Sequence, residues 1–276
     1  MAIFQVQNQW GGSSAPWHAG GTWVLGGRDN QNVTEILINS GDGGKTFSGT
    51  MTYEGEGPIG FRATQIVGNN YAVENQWGGS TAPWHPGGNW IIGGRDGQNV
   101  VQLKVESVNN GADLEGTMTY AGEGPIGFKG KETPGSSYSV ENQWGGSSAP
   151  WHQGGTFVLG ARENQNPIAY DIQSKDGGKT FSGTMTYAGE GPIGFRAVQT
   201  SGNNYAAENQ WGGSTAPWHP GGNLVIGGRV NQNAIQLKIS SKDEGKNFTG
   251  EMTYIGEGPI GVKATISANV LSKTAS

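Results

Sequence analysis

Cysteine is absent from the 276 residues. Its absence removes disulfides, zinc–thiolate centres and a cysteine nucleophile together. Charge is scarce too: 14% of residues are charged, the formal net charge is −5, and the 17 Lys and Arg form no run. Neutralising phosphates requires a basic face, so nucleic acid is excluded as a partner and an anionic membrane surface is disfavoured. No stretch approaches the roughly 18 consecutive apolar residues of a membrane helix, so membrane insertion is not expected. Residues 1–7 have neither the basic nor the long apolar segment of a secretory signal. The expectation is a cytoplasmic protein, released by lysis or a non-classical route. Helical periodicity is missing as well. The chain has 51 glycines, each costing about 1 kcal/mol per helical position relative to Ala, and no window carries a clean 3.6-residue stripe.

What is present is repetition. Asn-Gln-Trp-Gly-Gly starts at Asn8, Asn75, Asn142 and Asn209, a step of 67 residues. Pro-Trp-His keeps the same step from Pro16, Pro83, Pro150 and Pro217, as does Met-Thr-Tyr-x-Gly-Glu-Gly-Pro-Ile-Gly from Met51, Met118, Met185 and Met252. A fixed period of this length marks stacked copies of one supersecondary unit. The repeats span 1–67, 68–134, 135–201 and 202–268, and 269–276 is a tail. Repeats one and three share Ser-Ser-Ala-Pro, whereas two and four share Ser-Thr-Ala-Pro and His-Pro-Gly-Gly-Asn. This alternation indicates a duplicated two-repeat domain, with domains at 1–134 and 135–268 and a boundary near Pro134.

Within the first repeat, residues 3–9, 21–28, 33–40, 46–53 and 59–66 read as short strands separated by Gly-Gly, Asp-Gly-Gly and Gly-Pro clusters. Five strands per repeat make ten per domain. A sheet that wide closes or splits to protect its edges. The predicted fold is therefore all-β: two tandem ten-stranded antiparallel barrels.

Several motifs are excluded by context. Gly55-Glu56-Gly57-Pro58-Ile59-Gly60 spells a dinucleotide loop, but Pro58 and the β-rich segment after it leave no helix to receive a pyrophosphate. His18, His85, His152 and His219 follow Pro-Trp with no second ligand at zinc spacing, which favours a structural role over a metal site. Glycoside hydrolysis needs two carboxyl groups. Only Glu56, Glu123, Glu190 and Glu257 occur in all four repeats; Asp29 becomes Val230, Glu74 aligns with Gln7, and Asp42 with Asn109. No catalytic residue, metal or cofactor is assigned.

The parts common to every repeat are a Trp followed by two glycines, an Arg after a strand and a Glu in a glycine loop. An indole face can cover the C–H face of a pyranose. Glycine lets backbone N–H groups approach closely, and Arg with Glu can bracket a diol. For Trp17, Trp23, Trp84 and Trp90 core packing is the expectation, since Trp23 and Trp90 become Phe157 and Leu224. For Trp10 and its equivalents the loop setting favours binding. Glycosidase and purely structural repeat protein are the competing readings.

These motifs on a 67-residue step resemble the Oscillatoria agardhii agglutinin family of high-mannose lectins, over nearly the whole chain. The resemblance implies one ten-stranded barrel per pair of repeats, with two sugar sites at opposite ends, each shared between repeats. One site would join Trp10, Gly11 and Gly12 with Arg95, Glu123 and Gly124. Its partner would join Trp77, Gly78 and Gly79 with Arg28, Glu56 and Gly57. In the second barrel, Trp144, Gly145 and Gly146 would meet Arg229, Glu257 and Gly258, and Trp211, Gly212 and Gly213 would meet Arg162, Glu190 and Gly191. Ala161 in place of Gly27, and Val230 in place of Asp29, would tune the sites of Arg162 and Arg229. The implied activity is calcium-independent, agglutinating and antiviral recognition of the branched α1-3, α1-6 mannose core on glycoproteins, viral envelope glycoproteins included, by a monomeric protein.

Overall fold

The computed structural model describes residues 2–26, 28, 31–95, 97–133, 135–160, 162, 165–227, 229 and 232–270, with the backbone alone for 268–270. The chain divides into two compact units, Met1–Thr133 and Pro134–Ser276. Pro134, the expected boundary residue, lies outside the described residues.

The first repeat forms β1 (Ala2–Gln9), β2 (His18–Leu25), β3 (Val33–Asn39), β4 (Thr46–Tyr53) and β5 (Ile59–Val67). The second forms β6 (Asn70–Gln76), β7 (His85–Ile91), β8 (Val100–Ser107), β9 (Asp113–Tyr120) and β10 (Pro125–Thr133). The third gives β11 (Gly135–Gln143), β12 (His152–Leu159), β13 (Pro167–Gln173), β14 (Thr180–Tyr187) and β15 (Ile193–Ser201). The fourth gives β16 (Asn204–Gln210), β17 (His219–Val225), β18 (Ala234–Ser241), β19 (Asn247–Tyr254) and β20 (Ile260–Val270).

Each unit is a closed antiparallel barrel of ten strands; the first runs β1-β10-β9-β8-β3-β4-β5-β6-β7-β2. Closure is not repeat by repeat. The first strand of each repeat pairs with the last strand of the other, β1 with β10 and β6 with β5. The β1–β2 hairpin joins the remaining strands of its own repeat only around the barrel, and β2 meets β7 through a single register pair, Val24↔Ile91. The second barrel repeats this at Val158↔Val225. Neither repeat completes a sheet alone, so loops from different repeats are brought to the same end of the barrel.

Side-chain alternation fills the interior. Inward positions such as Ile36, Ile38, Met51, Phe61, Leu103 and Phe128 are buried, while alternate positions such as Asn39, Arg62, Lys104 and Lys129 are exposed. At Gly49 the adjacent strand passes so close that a Cβ would stand 2.0 Å from the Leu37 carbonyl oxygen. Only glycine fits there and at Gly116, Gly183 and Gly250, which recur in step.

Three expectations need correction. The strand expected at 21–28 begins earlier, at His18, and stops at Leu25, because Gly26 adopts φ +79 and turns the chain out of the sheet. Residues 269 and 270, assigned to the tail, extend β20 and pair with Ser136 and Gly135. Trp23 and Trp90 are core residues at 0% exposure, but Trp17 and Trp84 are not: they are half-buried outside the hydrophobic clusters. Trp84 lies over Gly60 and under the Arg62 guanidinium, 4.4 Å from its ring centroid; Trp17 lies over Gly127 with the Lys129 ammonium 4.8 Å away. The indole fills the gap left by a glycine on the sheet's outer surface, a role that periodicity does not distinguish from core packing.

Candidate functional site

The Asn-Gln-Trp-Gly-Gly segment makes the first half of each site. Asn8 is buried at the end of β1. Gln9 donates from its amide to the carbonyls of Ala15 (2.6 Å) and Ser13 (3.2 Å), so the loop after the strand is tied from inside. Gly11 and Gly12 adopt φ +92 and +101, backbone states costly for any residue with a Cβ. The loop returns at His18, whose ring stacks on Trp10 at 4.2 Å between centroids and 17° between planes. Trp77–His85, Trp144–His152 and Trp211–His219 repeat the stack at 4.2–4.3 Å. The four loop tryptophans are 44–46% exposed. With one face covered by imidazole, each indole has its other face left for a ligand.

The second half comes from the other repeat of the same barrel. Arg95 follows β7, its Cζ 4.2 Å from the centroid of the buried Tyr120 ring, and donates to Glu123 Oε1 at 2.6 Å. Gln98 completes a triangle: its Oε1 accepts from Arg95 at 3.1 Å, and its Nε2 donates to Glu123 Oε1 at 3.1 Å and to the Ala121 carbonyl at 2.9 Å. Arg95 Cζ stands 5.5 Å from the Trp10 ring centroid. Trp10 thus faces Arg95 and Glu123, not the Arg28 and Glu56 of its own repeat. Those two face Trp77, with Arg28 Cζ 5.3 Å from its ring and the ion pair at 2.6 Å. In the second barrel Arg229 lies 5.8 Å from Trp144 and pairs with Glu257, and Arg162 lies 5.2 Å from Trp211 and pairs with Glu190.

Hydrogen bonds favour the ionised form of three of these carboxylates. Glu56 and Glu190 sit below the usual carboxylate range chiefly through the Arg hydrogen bond, then Gln31 and Gln165. For Glu257 the Gln232 hydrogen bond contributes most. An ionised Glu accepts hydrogen bonds and donates none, while the paired Arg keeps further N–H groups for a ligand. Around them the glycines leave room: a Cβ built at Gly12, Gly57, Gly124, Gly191 or Gly258 meets no atom within 4 Å. Among the described residues no group of three or more His, Cys, Asp or Glu is placed to hold a metal ion.

Two participants escaped the sequence reading, and a third, the histidines, was expected to be structural only. Gln31, Gln98, Gln165 and Gln232 recur three residues after each Arg, and that invariance was the available signal. The tyrosine of Met-Thr-Tyr forms the floor under each Arg: Tyr53, Tyr120, Tyr187 and Tyr254, all buried. The histidines pack against the indoles as rings, a contact that spacing along the chain does not reveal. Ala161 and Val230, expected to tune the sites of Arg162 and Arg229, lie outside the described residues, as do their counterparts Gly27 and Asp29.

Comparison with known proteins gives a consistent result. The family model for the OAA-family lectin sugar binding domain matches four times, over residues 2–66, 69–133, 136–200 and 203–267. The myxobacterial hemagglutinin of Myxococcus xanthus is 61% identical over 266 residues, covering 96% of this chain and 100% of that protein. The crystal structure of Burkholderia oklahomensis agglutinin superimposes with a TM-score of 0.92 at 64% identity, over 96% of this chain and 95% of that one. The Myxococcus xanthus hemagglutinin, solved in complex with α3,α6-mannopentaose, gives a TM-score of 0.94 at 61% identity, over 96% and 100% of the two chains.

Proposed function

This chain belongs to the OAA family of lectins, and from that premise we propose that it is a lectin for high-mannose glycans with four sites, each spanning two repeats. The observation that carries the reading is the fourfold recurrence of one constellation: an exposed, imidazole-backed indole facing an Arg–Glu–Gln triangle from the other repeat. A mannose ring laid on the free indole face removes apolar area from water. The Glu carboxylate and the free Arg N–H groups bracket adjacent hydroxyls, and the glycine loops allow a close approach. The likeness to a hemagglutinin solved with α3,α6-mannopentaose supports a branched mannose core as the ligand.

We infer binding without turnover. A glycosidase requires a proton donor and a second carboxylate about 5–9.5 Å away. Here the one acid common to the sites is ion-paired to an Arg in each of them, and no second carboxylate recurs in all four repeats. Two sites per barrel and two barrels per chain give linked binding, which raises avidity by roughly 10²–10⁴ where geometry allows. That is sufficient to cross-link glycoproteins, agglutinate cells and engage densely glycosylated viral envelopes. Calorimetric titration with a branched mannose pentasaccharide tests the proposal. Four sites per chain, unaffected by a calcium chelator, are expected; one site per chain, a calcium requirement, or release of reducing sugar contradicts it.

A further inference from the structure

The four sites share one centre but not one rim. The residue x in Tyr-x-Gly-Glu is Glu54, Ala121, Ala188 or Ile255. Its backbone is pinned identically in every site. The carbonyl accepts from the site glutamine, Gln31 to Glu54 at 3.0 Å and Gln232 to Ile255 at 2.9 Å. Its N–H donates to the next residue of the glutamine loop, Asn32 or Asn233. Gln31 Nε2 also lies 3.0 Å from Glu56 Oε1, so one nitrogen touches both the rim and the ligand-facing carboxylate. The rim is thus within a pyranose length of the site.

The same asparagine ties the rim to a hairpin tip from the other repeat: Asn32 to the Asn110 carbonyl at 2.7 Å, and Asn233 to the Gly177 carbonyl at 3.1 Å. Beside the Trp77 site the rim therefore presents the exposed carboxylate of Glu54, which forms no ion pair among the described residues, against the uncharged Asn110. Beside the Trp144 site it presents Ile255, 43% exposed, packed toward Gly177, whose turn carries Lys175 and Lys179 with Asp176 as its one acid. Since Arg and Glu cancel at each centre, the first rim leaves its site negative and the second leaves its site slightly positive.

We propose that this rim residue determines specificity, and that the Trp77 site, unlike the Trp144 site, discriminates against mannose oligosaccharides bearing a phosphomonoester. The inference rests on the lectin reading and refines it. A phosphomonoester carries about −1.5 to −2 charges at neutral pH. Across a few ångströms of solvent, one like charge is worth about a three- to tenfold change in affinity at low salt, and screening erases it.

The test uses two full-length chains, each with one site kept: W10A/W144A/W211A retains the Trp77 site, and W10A/W77A/W211A retains the Trp144 site. Each is titrated with a neutral branched mannose pentasaccharide and with its phosphorylated counterpart. Phosphorylation is expected to weaken the Trp77 site about fivefold and to leave the Trp144 site unchanged or tighter, with the gap closing at about 0.5 M salt. E54Q added to the first chain, which leaves the indole and ion pair intact, should remove the penalty. An equal phosphate effect in both chains, or a penalty that survives E54Q, overturns the proposal while neutral binding upholds the lectin reading. Failure of the unsubstituted protein to bind the neutral sugar overturns both.

Discussion

Trp10 lies in the loop of the β1–β2 hairpin and Trp23 on its second strand, and their counterparts in the other repeats have diverged differently. At the Trp23 position the repeats place Trp23, Trp90, Phe157 and Leu224, all at 1% exposure or less. At the Trp10 position every repeat keeps tryptophan, with 44–46% of its surface in water. The interior asks for apolar volume, and neighbouring side chains repack around whichever shape supplies it. The loop asks for an indole although folding gains little from one there. An exposed aromatic kept in four copies, backed by a ring and faced by an ion pair, is explained by a ligand rather than by the barrel.

That contrast is most sharply broken by truncating each partner. W23A should cost the first barrel about 3–5 kcal/mol, read as a fall in the denaturation midpoint. W10A should cost about 1 kcal/mol or less yet remove one sugar site from the titration. Equal destabilisation by the two would erase the distinction. Next in size is E123Q, which removes a charge-assisted acceptor worth about 1.5–3 kcal/mol and should weaken the Trp10 site roughly ten- to a hundredfold without changing the melting curve.

The imidazole stack gives a smaller effect. H18A should weaken the Trp10 site by about 0.5–1.5 kcal/mol, and H18F, which restores a flat ring, should recover most of it. Failure of the phenyl ring to rescue would mean that the histidine acts otherwise than by backing the indole.

The smallest effect is that of pH. Asp176 and Asp243 are held down to about 2 by hydrogen bonds from Thr180 and Asn247 in their turns. A carboxylate with a depressed folded pKa stabilises the fold above its unfolded value and loses that contribution as pH falls toward the folded one. Glu56, Glu190 and Glu257 are shifted in the same direction. Binding and melting temperature should therefore be flat from neutrality to about pH 5, with loss confined to pH values below about 4. A binding midpoint near neutrality would contradict this assignment.

The sequence made the repeat, the strand count and the barrel legible, because period, glycine punctuation and alternation are local signals. It did not make β2's end legible, since Gly26 looks like any other glycine of a Gly-Gly pair until its φ is known. Nor did it separate Trp17 from Trp23: both follow small residues, and only the sheet shows that one fills the interior and the other covers an outer glycine. The pairing of Trp10 with Arg95 came from family resemblance, because Arg28 is the closer partner along the chain. The crossing of β1 to β10 supplies its physical cause.

Counting sites in two double variants tests that pairing most directly. If each site joins two repeats, W10A/E123A damages one site and a titration with the branched mannose pentasaccharide finds three strong sites, whereas W10A/E56A damages two and leaves two. The opposite result, two sites for W10A/E123A and three for W10A/E56A, would mean that each repeat binds sugar on its own.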